Sequence, residues 1–252
     1  MARYFIRLAY RGAPYHGWQS QPNAVTVQSV IEQTLARLTR RDAVPITGAG
    51  RTDTGVNASM MYAHVDLDPD GPVADPTRFV RSLNSMLGPD IAIHAVTRVD
   101  DDAHARFDAT SRTYHYYAHT VKSPFAYPLS WQAPPGLDFD AMNRAAALLI
   151  GRRDFTSFSK LHTDVKTNIC DLRRAVWQDL GDGRHRFVIT ADRFLRNMVR
   201  AIVGTLVDVG RHKISPDEIT AIIDRLDRSA AGTSMPAHAL FLSEVTYPYP
   251  LL

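Results

Sequence analysis

From Arg3 to Tyr10, the residues Tyr4, Ile6, Leu8 and Tyr10 alternate with Phe5, Arg7 and Ala9, the two-residue period of a strand with two distinct faces. Turn residues follow at Gly12, Pro14 and Gly17. Val27, Val30, Ile31, Leu35 and Leu38 then recur at helical spacing behind Thr26, whose hydroxyl suits a helix N-cap. Strands are expected on both sides of a polar loop at 48–58, from Val44-Pro45-Ile46 before it and from the alternating Met60 to Leu67 after it. Asp75-Pro76 is a cap and first-turn pair opening a second helix, with Phe79, Val80, Leu83, Met86 and Leu87 on one face and Gly88 as its stop. Ile91 to Val99 is a further strand, so the order is strand, helix, strand, strand, helix, strand: the split pattern of a ferredoxin-like sheet with helices on one face.

The second half runs in the same order. Thr113 to Thr120 is an aromatic-rich strand, and Asp138 to Ile150 is a helix closed by Gly151. Cys170 to Gln178 and His185 to Ala191 pair across the Gly181-Asp182-Gly183 turn. A long helix is predicted from about Phe194 to Val209, and a shorter one opens at Ser215 with a capping box to Glu218; Leu240 to Tyr247 closes the sheet. The expectation is an α+β protein of two ferredoxin-like or RNA-recognition-like halves, residues 1–105 and 106–252. Their mainly antiparallel sheets lie side by side with an active-site cleft between them. Residues 151–169 form a polar excursion carrying Phe155, Phe158 and Lys160, whose rings either stack on RNA bases or anchor the loop to the core.

Composition narrows the class. The chain has 252 residues, 45% of them apolar and 22% charged, which suits a soluble globular protein with a substantial core. Nowhere do about 18 apolar residues run together, so no membrane span is expected and the cytoplasm is the default location. One cysteine, Cys170, excludes an internal disulfide and a thiolate metal cluster. The net charge of +3 sits in the second half: residues 1–105 carry 10 basic and 11 acidic side chains, residues 106–252 carry 19 and 15. Arg152-Arg153, Lys160, Lys166, Arg173-Arg174, Arg193, Arg196, Arg200, Arg211 and Lys213 would suit a polyanion, although charge alone equally describes a solvated face.

Three places could carry chemistry. Gly48-Ala49-Gly50-Arg51-Thr52-Asp53-Thr54-Gly55-Val56-Asn57-Ala58 holds Arg51 and Asp53 between glycines that free the backbone for a tight or close-approaching path. The same residues would also serve an Asx-type turn. In the helix from Phe194, apolar pairs recur every four residues and leave Arg196 and Arg200 as a narrow stripe. An arginine on so apolar a helix calls for an anionic partner, either at a functional site or in a structural pair with an acid such as Asp192. On the aromatic strand, Tyr114 and Tyr116 share a face opposite Tyr117; such tyrosines also serve as core residues. His115 and His119 have no acidic or cysteine companions that would make a metal site.

Taken together, five stretches resemble the tRNA pseudouridine synthase A family. They are Tyr10-Arg11-Gly12 with Gly17-Trp18-Gln19 and Thr26-Val27-Gln28; Gly50-Arg51-Thr52-Asp53 with Gly55-Val56; and Ala105-Arg106-Phe107 with Arg112, Tyr114 and Tyr116. The remaining two are Asp154-Phe155-Thr156-Ser157-Phe158, and Phe194-Leu195 with Met198-Val199-Arg200 and Val203-Gly204. Arg11, Thr54, Asn57 and Ala239 stand where the family usually has Asp, Ala, His and Gly, departures that touch RNA contacts rather than the Arg-Thr-Asp core.

The resemblance implies a homodimer that converts uridine to pseudouridine at positions 38, 39 and 40 of the tRNA anticodon stem-loop, with no cofactor and no metal. It makes Asp53 the essential carboxylate and Arg200 its partner, which at about 4 to 6 Å would lower a carboxyl pKa by roughly 1 to 3 units. Tyr114 corresponds to the tyrosine that packs on the target base, and Arg51 to an arginine that helps hold the base out of its stack. Arg112, Arg152, Lys160 and Arg196 are the other expected substrate contacts. An RNA-binding protein without catalysis, or a hydrolase with Asp53 as general base, would share parts of this pattern.

Overall fold

The structure is a computed structural model that describes residues 1–160 and 167–251. The first part of the chain forms β1 (Ala2–Tyr10), α1 (Val27–Thr39), β2 (Thr47–Gly48), β3 (Asn57–Leu67), α2 (Pro76–Met86) and β4 (Ile91–Arg98). The remainder forms β5 (Ser111–His119), β6 (Trp131–Gln132), α3 (Phe139–Ala147), β7 (Gly151–Asp154), β8 (Ile169–Asp179), β9 (Arg184–Ala191), α4 (Met198–Gly210), α5 (Glu218–Asp224) and β10 (Leu240–Thr246). Two compact units emerge, Met1–Thr110 with the residues from Leu242 onward, and Ser111–Phe241. Both are mixed α and β on mainly antiparallel strands.

In the first unit, the alternation of β1 does what its sequence period requires. It pairs antiparallel with β3, Ile6 facing Ala63 and Leu8 facing Met61, and antiparallel with β4 on its other side. Ile6, Leu8, Met61, Ala63 and Val65 are buried, as are Val27, Ile31 and Leu35 of α1 and Phe79 and Leu83 of α2. Each large apolar side chain removed from water in this way stabilises the fold by about 1.5–3 kcal/mol. Thr26 caps α1, accepting from Ser29 N–H, while the Ser29 hydroxyl accepts from Thr26 N–H; Asp75 caps α2 through Arg78 N–H at 3.0 Å. The strand order is β4-β1-β3-β10, with β2 a two-residue addition to β3.

This order departs from the expected split pattern, because β10 rather than a full second strand lies beside β3. Pro45 has no N–H to donate, and the backbone of Ile46 is claimed by side chains of α1: Glu32 Oε1 accepts from its N–H at 3.0 Å and Gln28 Nε2 donates to its carbonyl at 3.0 Å. Val44-Pro45-Ile46 is therefore a tether, not a strand. The late residues belong here because Tyr247 packs against Phe5 and Tyr62 at ring distances of 5.2 and 5.4 Å and donates its hydroxyl to Ala105 O at 2.7 Å.

In the second unit the strand order is β5-β9-β8-β7, all antiparallel neighbours, with the short β6 parallel to β5. Every residue of α4 except Arg200 and Asp208 is buried, and Asp208 pairs with Lys213 at 3.1 Å. Three expectations are corrected. α4 begins at Met198, because Asn197 takes a left-handed conformation (φ 66°) and the apolar doublet Phe194-Leu195 lies before it. α3 ends at Ala147 with Leu148 as its cap, and Gly151, at φ +116°, opens β7 instead of closing a helix. Ser215 N–H donates to Glu218 at 2.6 Å as the capping box requires, although α5 begins only at Glu218.

Candidate active site

The loop around Asp53 is fixed from four directions inside the first unit. Asp53 carbonyl accepts from Val56 N–H at 3.1 Å, a turn whose third residue needs positive φ, which Gly55 supplies at 78°. Beneath it, Thr52 is buried, its Oγ1 2.8 Å from the Tyr10 hydroxyl at the end of β1, and its carbonyl accepts from Trp18 N–H at 3.2 Å. The 10–18 segment can approach so closely because it lacks side chains where contact is tightest. A Cβ on Gly17 would lie 2.6 Å from Thr52 O and 3.3 Å from the Asp53 carbonyl carbon, and one on Gly12 would meet Val56 O. Trp18 in turn fills the space above Gly48, where a Cβ would come within 2.5 Å of the indole.

Asn57 completes the frame. It is 1% exposed, and its Oδ1 accepts from Gly12 N–H at 2.9 Å. The Asn at this position is thus an internal brace between β3 and the 10–18 segment and not a surface contact, which explains why an amide serves there. Arg11, another of the departures, forms an exposed ion pair with Asp90 at 2.6 Å. On this frame Asp53 is half-buried and Arg51 exposed, two residues apart. The arrangement presents one carboxylate at a defined place and one guanidinium free to reach outward.

In the second unit, Tyr114 lies on β5 opposite Ile189, its ring edge-on to Phe194 at 5.2 Å. Arg200 lies in the first turn of α4, half-buried, with Nε donating to Met235 O at 2.6 Å while its own carbonyl accepts from Met235 N–H. Met235 belongs to a strap at 231–235 that crosses α4. A Cβ on Gly204 would meet Thr233 O, Gly232 N–H donates to Thr205 Oγ1 at 2.8 Å, and Ser234 Oγ accepts from Asn197 and Arg228. Gly204 and Thr205 thus let the strap cross close to α4, where its Met235 holds Arg200.

The other expected contacts are dispersed within that unit. Arg112 donates to Asp192 O at 2.8 Å. Arg152 is exposed on β7, and Lys160 is exposed with its N–H on Arg196 O at 3.0 Å. Arg196 precedes the helix and is exposed, so it shares no helical face with Arg200. Asp192 accepts from Asp171 N–H and Arg193 N–H. Phe155 and Phe158 are fully buried and anchor the excursion, which excludes them from stacking on RNA. Arg173 is paired with Asp171, and Lys166 lies outside the described residues.

Sequence reasoning missed the braces Tyr10 and Asn57 and the strap, because each acts over tens of residues. The glycines at 12, 17 and 204 were the only local signal. Among the described residues, no group of three or more His, Cys, Asp or Glu is placed to hold a metal ion, and no helix is long and apolar enough to cross a membrane. Desolvation lowers the pKa of His64 to about 4, and that of His115 to about 4 with help from Arg186 and Arg174.

One unit thus holds a carboxylate on a clamped loop, and the other holds an arginine on a buried helix. A family model described as tRNA pseudouridine synthase matches residues 145–248, a span that includes Arg200. Over the whole chain, tRNA pseudouridine synthase A of Parabacteroides distasonis is 54% identical across 251 residues, covering 100% of this chain and 98% of the relative. The Bacteroides fragilis protein of that name is 53% identical over 98% of this chain and 96% of its own length, and the Bacillus subtilis protein is 39% identical over 95% and 97%. The chain belongs to the tRNA pseudouridine synthase A family, a family of isomerases.

Proposed function

We propose that the protein isomerises uridine to pseudouridine at positions 38, 39 and 40 of the tRNA anticodon stem-loop, with Asp53 as the nucleophilic carboxylate. The observation that carries this reading is the clamped Arg51-Thr52-Asp53 loop in a chain half identical to tRNA pseudouridine synthases along its length. The reaction breaks the bond from N1 to the sugar and joins C5 in its place, so atoms and electrons balance without a co-reactant. A base held in a stem must first be extruded, at a cost of a few kcal/mol that phosphate contacts can offset. Arg51 is exposed and suited to holding the base out of its stack. Tyr114 packs on the target base, Arg200 serves the carboxylate, and Arg112, Arg152, Lys160 and Arg196 meet substrate. The protein works as a cytoplasmic homodimer.

Tritium release from tRNA labelled at uridine C5 tests this, with wild type beside Asp53→Ala. Release equal to the number of uridines at positions 38–40, abolished in the variant, is the expected result. Salt-sensitive tRNA binding by both proteins with no release from either would identify a binding module instead, and would sink the proposal.

A further inference from the structure

Strand β1 carries two arginines on one face, and only one of them is paired. Arg3, Phe5 and Arg7 alternate with Tyr4, Ile6 and Leu8, so Arg3 and Arg7 project from the same side of the sheet. Arg3 is committed to structure: Nε and Nη2 donate to the two carboxylate oxygens of Asp66 at 2.9 and 3.0 Å, and Nη1 donates to Ala103 O at 3.1 Å. Arg7 is half-buried with its Nε shielded from water, yet its guanidinium makes no hydrogen bond or ion pair with any of the described residues. An arginine stays charged at any working pH, and shielding such a charge without an anion to answer it is unfavourable. An uncharged side chain would fill the position without that penalty, so packing gives no reason for an arginine.

The surroundings give one. Arg7 stands opposite Tyr62 on β3 and Ala95 on β4. Ile6 and Leu8, on the other face, are wholly buried, whereas Ala9 and Ala95, beside Arg7, are half-buried: this part of the sheet face is open, and its small side chains admit a close approach. Asp66, on the same face, is already taken by Arg3. We infer that Arg7 is a phosphate site for the tRNA backbone: its guanidinium fork donates to the two free oxygens of one phosphodiester laid on the open face of β1. A guanidinium matches such a pair of oxygens bidentately, and a polyanion offers one at every nucleotide. Arg7 lies three residues, about 10 Å of strand, before Tyr10, whose hydroxyl is 2.8 Å from Thr52 Oγ1 beside Asp53. The phosphate it holds therefore belongs to a nucleotide near the target rather than to the target itself, and Arg7 contributes to binding and not to the exchange of bonds. The inference rests on tRNA being the substrate, as proposed above.

The test is Arg7→Gln beside Arg7→Lys, Arg3→Gln and wild type. The readouts are filter binding of unmodified tRNA across a salt series, steady-state pseudouridine formation, thermal unfolding and sedimentation. For Arg7→Gln, Kd and KM should rise roughly tenfold with kcat within about twofold, and the slope of log K against log salt should lose about 0.7–0.9. Its Tm should be unchanged or raised, because the lost charge had no partner in the protein. Arg7→Lys should keep the slope, since the charge is kept, and so should Arg3→Gln, whose charge is paired. A slope reduced equally at Arg3 and Arg7 would mean that only the overall field matters, which overturns the inference. So does a lowered Tm with Kd and slope kept, which would make Arg7 structural, or a changed oligomeric state with the slope kept, which would make this face a contact between two copies. A wild type that binds tRNA, with the expected loss in Arg7→Gln, but forms no pseudouridine keeps the phosphate site and removes the proposed reaction. A wild type that does not bind tRNA removes both.

Discussion

The loop carrying Asp53 and the helix carrying Arg200 solve the same problem by opposite means. Around Asp53 the backbone is the working material: glycines at 12, 17 and 55 admit close approach or positive φ, and the buried polar groups of Thr52, Tyr10 and Asn57 are matched to one another or to backbone. Around Arg200 the side chain is the working material. It leaves an almost wholly buried helix, and a separate strap grips it. The first region is held by backbone contacts along a loop, and the second by one side chain's bond to a crossing strap. A loop can be fixed by its own backbone, whereas a long side chain on a helix needs an outside partner to hold it in one place.

The comparison breaks most visibly at Gly17. Alanine there would combine a left-handed backbone (φ +86°) with a Cβ 2.6 Å from Thr52 O, against backbone atoms that cannot give way. Gly17→Ala should cost about 3 kcal/mol and lower Tm by roughly 5–10 °C; differential scanning calorimetry reading less than about 1 °C would mean that the frame is not rigid. Arg200→Lys sharpens the other side. Lysine keeps the charge and loses the Nε donor to Met235, so kcat should fall about 100-fold with little change in Tm. Near-wild-type turnover would show that charge alone matters there.

The smallest effect is in pH. His64 and His115, one in each unit, have folded pKa values of about 4, below the unfolded value of 6.5. The unfolded chain therefore binds more protons between those values, and stability declines as pH falls from 6.5 toward 4, then stops changing on their account. Replacing His64 by Gln should flatten the slope of the urea midpoint against pH in that window. His185 and His238, also lowered by burial, keep a residual slope in place. An unaltered slope would show that His64 titrates normally in the folded protein.

How much of this could be read from residues alone depends on distance along the chain. β1, α1 and α2 were legible because alternation, i to i+4 spacing and caps are local, and Thr26 and Asp75 cap as their types suggest. β7 was not, since Gly151-Arg152-Arg153-Asp154 has no apolar period and owes its strand form to pairing with Leu172, Asp171, Cys170 and Ile169. The start of α4 was overshot because Phe194 and Leu195 continue the apolar doublets, and nothing in Asn197 announces a positive φ. The Asp53 loop showed itself by its glycines. Its braces did not, because Tyr10 and Thr52 are 42 positions apart and Gly12 and Asn57 are 45 apart.

The first unit gathers residues from both ends of the sequence, its sheet gaining β10 beside β3 and its aromatic cluster gaining Tyr247 only at the far end. During synthesis the order of completion is therefore the reverse of the order of translation. All residues of Ser111–Phe241 are joined while the unit begun first still lacks β10, and until then only the two-residue β2 covers that side of β3. A stalled chain released just before Leu242 should protect β8 and β9 from protease and leave Asp53 on an unfinished sheet. The loop of Asp53 therefore lies in the unit whose sheet is closed only by late residues.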